Sequence, residues 1–325
     1  MRVLCSGLAL VVVACASDAV QGDAATDAGA TTDTSTVDAA LPDAATTDAS
    51  DASADASVND LTFYPDQGPR VDFASNCKAG IASDGSVYLY YQDRNTNKQV
   101  RSVSPDGLTF PTGSAYTTYE NHPTRIQLPS GKWKRYLFDP KTAVLSSEAS
   151  TDGITFIAEQ GTRYQIVAAD KGTAGIYDHY VAGTSVMMLY LGDLQGLNNT
   201  RAAISTDEGM TFTFKGTNVL GDDSAGGGAN AFVDISSIAL PTGGRRLFAM
   251  KGGSGIYSFT NLDPSNYLGW KQDPGTRVEK TAWGDATLTG LFDPTVVRLK
   301  DGRYRMYLTG GYGQKHEAII SATTK

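Results

Sequence analysis

Five polar residues recur at matching places along this chain: Asn76, His122, Asp178, Asp234 and Asp293. They are 46, 56, 56 and 59 residues apart. Gathered at one place, they could carry acid–base chemistry. Glycoside hydrolysis needs two carboxylates, one protonated and one ionised. Asp178 and Asp293 are the best candidate pair, with Asp72 as a substitute and Asp234 as a third carboxylate of the set. His122 and His179 are two of only three histidines. They could bind substrate, act as acid or base, or join Asp178 around a metal. No His-Glu-x-x-His or clustered Cys/His spacing occurs, so no dedicated metal site is predicted. No cofactor is required, and an oxygen-rich calcium site stays open. The competing reading is that these aspartates cap strand starts by bonding to nearby backbone.

The five residues are positioned by a repeat. Asp293-Pro-Thr-Val-Val-Arg-Leu-Lys-Asp-Gly-Arg-Tyr-Arg-Met-Tyr aligns without a gap on His122-Pro-Thr-Arg-Ile-Gln-Leu-Pro-Ser-Gly-Lys-Trp-Lys-Arg-Tyr. Related copies begin at Asn76, Asp178 and Asp234. Each unit is a strand, a polar turn and a second alternating strand. The spacing is that of a propeller blade.

A second motif follows three of the hairpins. Ser104-Pro-Asp-Gly-Leu-Thr-Phe, Ser150-Thr-Asp-Gly-Ile-Thr-Phe and Ser205-Thr-Asp-Glu-Gly-Met-Thr-Phe share one pattern, which resembles the Asp box of sialidases and related propellers. Its expected role is a turn, with Asp accepting backbone N–H groups and Gly taking positive φ. The last unit has Ala318-Ile-Ile-Ser but lacks the rest, whereas Asp60-Leu-Thr-Phe supplies it. The expectation is an all-β fold, a five-bladed β-propeller over residues 60–325. Its N-terminal strand should complete the last blade and close the ring, removing exposed sheet edges.

These blade motifs resemble the five-bladed propellers of glycoside hydrolase families 43 and 32, over about residues 60–325. The resemblance implies a carbohydrate-active protein with its site where inner strands begin. It implies a base on the first blade, a helper Asp on the second and an acid Glu on the third. This chain has Asn76 (with Asp72 nearby), His122 (with Glu120 nearby) and Asp178 at those places. Hydrolysis of a glycan and non-catalytic binding of glycan or protein therefore both remain open. A sialidase-like enzyme is a third reading, but only five units are visible, and Arg125 and Arg201 do not make an arginine triad. Aromatic faces for sugar stacking are offered by Tyr116, Tyr119, Tyr177, Tyr180 and Trp283. Arg125, Asn76, Asp234, His122 and His179 complete the expected substrate-binding set.

The chain's N-terminal part has a different character. Residues 1–15, MRVLCSGLALVVVAC, pair Arg2 with an apolar run too short to span a bilayer, as in a signal peptide. Val12-Val13-Ala14-Cys15 resembles the bacterial lipobox, which implies lipidation of Cys15 and anchoring at the bacterial outer membrane or cell surface. Residues 16–59 are mostly Ala, Asp, Thr and Ser, a composition that stays disordered. Residues 1–60 hold ten Asp and one Arg, so the net charge of −8 belongs to them and the remainder carries about +1. A near-neutral domain argues against nucleic acid as a partner. The expected partners are a glycan and, through Cys15, a membrane; a monomer is expected. Cys77 is the one cysteine beyond these segments and is expected to be a buried hydrophobe.

Overall fold

The computed structural model describes residues 61–325 except 83, 116–124, 140–141, 154, 195, 197–198, 222–230 and 314–315. The signal segment, Cys15, the acidic tether, His122, Tyr116, Tyr119 and Glu120 lie outside the described residues.

Five antiparallel sheets form the five blades of a β-propeller. The first comprises Ala74–Ile81, Val87–Asp93, Lys98–Ser104 and Ser114–Ala115. The second runs from Arg125–Gln127 through Trp133–Asp139 and Val144–Ser150 to the short outer pieces Ile157–Ala158 and Tyr164–Gln165. The third comprises Ala174–Ala182, Ser185–Gly192, Asn199–Ser205 and Thr213–Gly216. The fourth comprises Phe232–Ala239, Arg245–Lys251 and Gly255–Asn261, with outer pieces Lys271–Gln272 and Val278–Glu279. The fifth contains Leu288–Arg298, Tyr304–Tyr312 and His316–Thr323, and its outer edge comes from the other end of the chain. Tyr64 pairs with Thr323 and Val71 with Ile319. The N-terminal strand thus closes the ring as the split motif predicts. Phe63 donates its N–H to Arg277 O (3.0 Å), as Phe212 does to Arg163 O (2.8 Å), so the two phenylalanines hold equivalent places.

Both faces of a blade strand pack against neighbouring blades, so the core is divided into inter-blade layers. Tyr136, Phe138, Tyr177 and Tyr190 fill the layer between the second and third blades. Tyr180, Ile235, Leu247 and Phe259 fill the next. Phe63, Phe248, Leu291 and Met306 join the fourth and fifth. Cys77, Leu89, Tyr307 and Ile319 join the fifth to the first.

The Ser-x-Asp turns act as local staples. Asp106 Oδ1 accepts from the N–H groups of Leu108 and Thr109 (2.8 and 2.9 Å), while Ser104 Oγ accepts from Gly107 N–H (2.9 Å). Asp207 repeats the arrangement and, like Asp106, is held near about 2. Its side-chain and backbone donors outweigh the burial that opposes them.

A further repeat ties the outer edges down. Glu159, Asp273 and Asp66 each begin an acid-x-Gly-x-Arg segment. Each accepts from a serine hydroxyl on its blade's third strand: Ser147 (2.6 Å), Ser258 (2.5 Å) and Ser321 (2.6 Å). Each also meets a cation of the second strand, Lys134 (3.2 Å), Arg246 (3.2 Å) or Arg305 (3.5 Å). In the fifth blade this clamp holds the N-terminal segment onto the C-terminal strand.

Candidate functional site

The inner strands of the first, fourth and fifth blades each carry a β-bulge, between Ser75 and Lys78, Val233 and Ser236, and Phe292 and Thr295. The bulge's first residue lies in the left-handed region: Asn76 (φ 53°), Asp234 (φ 55°) and Asp293 (φ 51°). Asn and Asp are the non-glycine residues that tolerate this backbone best. The recurrence of these residue types therefore has a backbone cause, independent of chemistry. In the third blade the bulge falls between Gly175 and Asp178. Ile176, not Asp178, stands at the matching position, and Asp178 aligns with Lys78, Ser236 and Thr295. The shorter Gly183-Thr184 turn of that hairpin hides the shift in the sequence.

The bulges couple neighbouring blades. The Asp293 carboxylate accepts from Thr309 Oγ1 (2.8 Å), and the same hydroxyl oxygen accepts from Asn76 N–H (3.0 Å). Burial and the charge of Asp293 push Asp234 up to about 7. Burial likewise raises Asp293. Lys78, buried at 8% exposure, donates to Ile235 O (3.2 Å) and favours the ionised forms of Asp178, Asp234 and Asp293 alike. Two interacting half-buried carboxylates with a buried lysine beside them can share a proton through the neutral range. Such a pair supplies an acid and a base from one place. The structure therefore brings Asp234 and Asp293 together, with Asn76 adjoining. The sequence offers no signal for Lys78, since its position is a spacer in the repeat.

Asp178 sits one layer deeper and turns to the fourth blade. Its Oδ2 accepts from Ser237 Oγ (2.5 Å), to which Arg245 also donates (2.9 Å). Burial raises Asp178, with Arg245 and Lys78 opposing. The residues flanking it face the opposite layer, as strand alternation requires. His179 is 4% exposed and stacks on Tyr136 at 4.1 Å. Burial lowers it to about 3, so it is a neutral ring in a core. Tyr177 stacks on Tyr190 at 5.6 Å in the same layer. Tyr180 is buried on the other side, with Arg245 4.4 Å over its ring. Arg125 donates to Gly153 O and lies over Trp133 at 5.2 Å, clasping a turn. Trp283 packs against the layer between the fourth and fifth blades. Arg201 is paired with Asp170 at 2.8 Å, both buried.

Asp72 lies elsewhere. It helps line a groove of about 510 Å³ on the fifth blade with Asp285, Thr287, Tyr312 and His316. His316 Nε2 is 2.6 Å from Asp72 Oδ1. Tyr312 pairs with Leu288 at the start of the inner strand and with His316 on the third strand, so the groove lies at the Leu288 end of the blade. Among the described residues no group of three or more His, Cys, Asp or Glu is placed to hold a metal ion, and no helix is long and apolar enough to cross a membrane.

No family model matches the sequence, and no curated protein matches it. Solved structures match the fold. An α-L-arabinofuranosidase from Podospora anserina, in complex with cellotriose, superposes with a TM-score of 0.57 at 12% identity, covering 82% of this chain and 95% of that one. An endo-1,4-β-xylanase from Bacteroides thetaiotaomicron gives 0.55 at 12% identity, covering 78% and 91%. A member of the GH130 family of mannoside phosphorylases and hydrolases gives 0.51 at 12% identity, covering 80% and 93%. The chain therefore has the five-bladed propeller fold found in these carbohydrate-active enzymes.

Proposed function

We propose that this protein is a surface-anchored, carbohydrate-active propeller that hydrolyses a glycosidic bond with Asp234 and Asp293. The observation that carries the reading is the coupled pair at the inner-strand bulges, one member of which titrates near 7. In its protonated form Asp234 donates to the departing glycosidic oxygen. Asp293, whose ionised form Thr309 and Lys78 favour against its burial, acts in that form on the opposite side as base or nucleophile. The glycosidases among the fold's neighbours support a glycan as substrate. The test is hydrolysis of xylan, arabinoxylan and mannan oligosaccharides by the wild type and by Asp234→Asn and Asp293→Asn. Each variant should lose at least about a hundred-fold in turnover while keeping its fold. Unchanged turnover in both would refute the assignment.

A non-catalytic glycan-binding propeller is the second reading. It is favoured by Asn76 at the first-blade position and by the Thr309 hydroxyl that already occupies the Asp293 carboxylate. Under it the same variants weaken binding of an uncleaved glycan by about 1–3 kcal/mol. Lipidation at Cys15 is the anchoring half of the proposal, supported by Val12 to Cys15 in the sequence. Mass spectrometry of the membrane-derived protein should find an acylated Cys15, and an unmodified N-terminus beyond it would remove the anchor.

A further inference from the structure

We infer that Lys78 is the positioning residue of the Asp234–Asp293 pair: its ammonium tethers the bulge that carries Asp234 and gives two carboxylates one positive charge between them. Lys78 thereby sets the pH window of the hydrolysis proposed above, on which this role depends.

The tether is seen in the hydrogen bonds. Lys78 belongs to the first blade, yet its Nζ donates to Ile235 O of the fourth at 3.2 Å. The fifth blade stands between those two in ring order, so the side chain reaches past it. Ile235 directly follows Asp234, the first residue of its bulge, with φ 55°. The bond therefore fixes the backbone from which the Asp234 carboxylate projects. Depth separates the two kinds of group. Asp234 and Asp293 are half-buried, whereas Lys78 is buried. A buried ammonium needs anions beside it, and its charge is weakly screened by salt.

Other charges near the pair are engaged elsewhere. Asp178 of the third blade has its own cation. Its Oδ2 accepts from Ser237 Oγ, which accepts from Arg245 Nη2 (2.9 Å) and Nε (3.1 Å). Burial raises Asp178, and Arg245 leads Lys78 among the charges that oppose it. Glu317 of the fifth blade adds to the burial that raises Asp293, but it is paired with Arg94 at 2.5 Å. Burial pushes the Cys77 thiol up, so beside Asp293 it stays neutral. Lys78 is the cation that favours the ionised form of both Asp234 and Asp293. One positive charge balances one carboxylate. The second then keeps a proton, because two adjacent anions repel each other. An acid and a base side by side are what glycoside hydrolysis requires.

The experiment follows the carboxyl groups by NMR in protein labelled with carbon-13 at the aspartate carboxyl carbon. Asp178→Asn, Asp234→Asn and Asp293→Asn assign the signals. At about pH 6 the wild-type pair should show one protonated and one ionised carboxyl. Lys78→Met should raise the titration of both members by about one pH unit or more. Lys78→Gln, whose amide can still donate to Ile235 O, should do the same, which separates the charge from the tether and serves where Lys78→Met does not fold. Arg245→Met should raise Asp178 and leave the pair in place. Both limbs of the pH profile of hydrolysis should move up with the pair in the Lys78 variants and stay in Arg245→Met. A pair that titrates as in the wild type once the Lys78 charge is removed overturns the role. Equal shifts in Lys78→Gln and Arg245→Met, or two wild-type carboxyls in the same state at about pH 6, overturn it as well. Shifted titrations in a protein that hydrolyses none of the glycans above would refute the reaction and keep the charge assignment, so the two proposals fail separately.

Discussion

Truncating Phe63 to alanine tests ring closure at a single side chain. Phe63 belongs to the segment before the first described strand, and its ring reaches the layer between the fourth and fifth blades at 2% exposure. It meets Phe248 edge-on, with centroids 5.8 Å apart at 86°. Removing a ring from such a site loses its transfer energy and leaves a cavity, together about 3–5 kcal/mol. Against a total stability on the order of 5–15 kcal/mol, that is a large share. The assay is urea unfolding followed by tryptophan fluorescence, with Ile157→Ala as control, since Ile157 is 73% exposed. The control should stay within about 0.5 kcal/mol of wild type. A Phe63→Ala loss below about 1 kcal/mol would show that the N-terminal segment lies on the ring without closing it. Deletion through residue 58 should be neutral, and deletion through Val71 should cost as much as Phe63→Ala or more.

Other expectations follow from the residues at and beside the inner-strand bulges. Asp234 has an ordinary value of 3.8 and a folded value of about 7, so the folded state keeps a proton that the unfolded chain loses. Stability should therefore fall between about pH 4 and 7, by up to a few kcal/mol, and level off above. Asp234→Asn should reduce that slope, leaving the part that Asp178 and Asp293 contribute, and raise stability at neutral pH, read as urea midpoints across the range. Lys78→Met leaves three buried carboxylates without their shared cation and should destabilise by about 3–5 kcal/mol at pH 7. The loss should shrink at pH 4, and a pH-independent loss would assign Lys78 to packing alone. His179→Phe should cost less than about 1.5 kcal/mol and leave any turnover unchanged, because the ring is neutral and stacked. A drop in turnover of an order of magnitude would return His179 to the site.

The propeller was legible because hairpin turns and strand alternation repeat at blade spacing. Ring closure was legible because Asp60-Leu-Thr-Phe continues a motif interrupted after Ser321. The site was harder to read. Asp234 and Asp293 were visible as repeat positions, but the alignment placed Asp178 beside them. A bulge leaves no mark in composition, and only the strand register exposes it. Tyr177, His179 and Tyr180 were expected at a cleft. Both faces of a blade strand are buried, so no polar alternation distinguishes a cleft-facing ring from one packed between blades. His316, Asp285 and Tyr312 meet Asp72 and Phe73 only because the ring closes, bringing residues more than two hundred positions apart to one groove. The acid-x-Gly-x-Arg segments were present in the sequence, but their partners lie on other strands.

The left-handed bulges bear on how such a ring can change over evolutionary time. Asp, Asn and Gly are the residues that occupy this backbone at little cost. An exchange of Asp for Asn there alters charge by one unit and leaves the chain path intact. A propeller of this build can therefore gain or lose a carboxylate at its inner-strand bulges in one substitution, without first repairing the fold. Asn76 is one such exchange away from a third carboxylate, 217 residues from Asp293 in the chain and linked to it through the Thr309 hydroxyl.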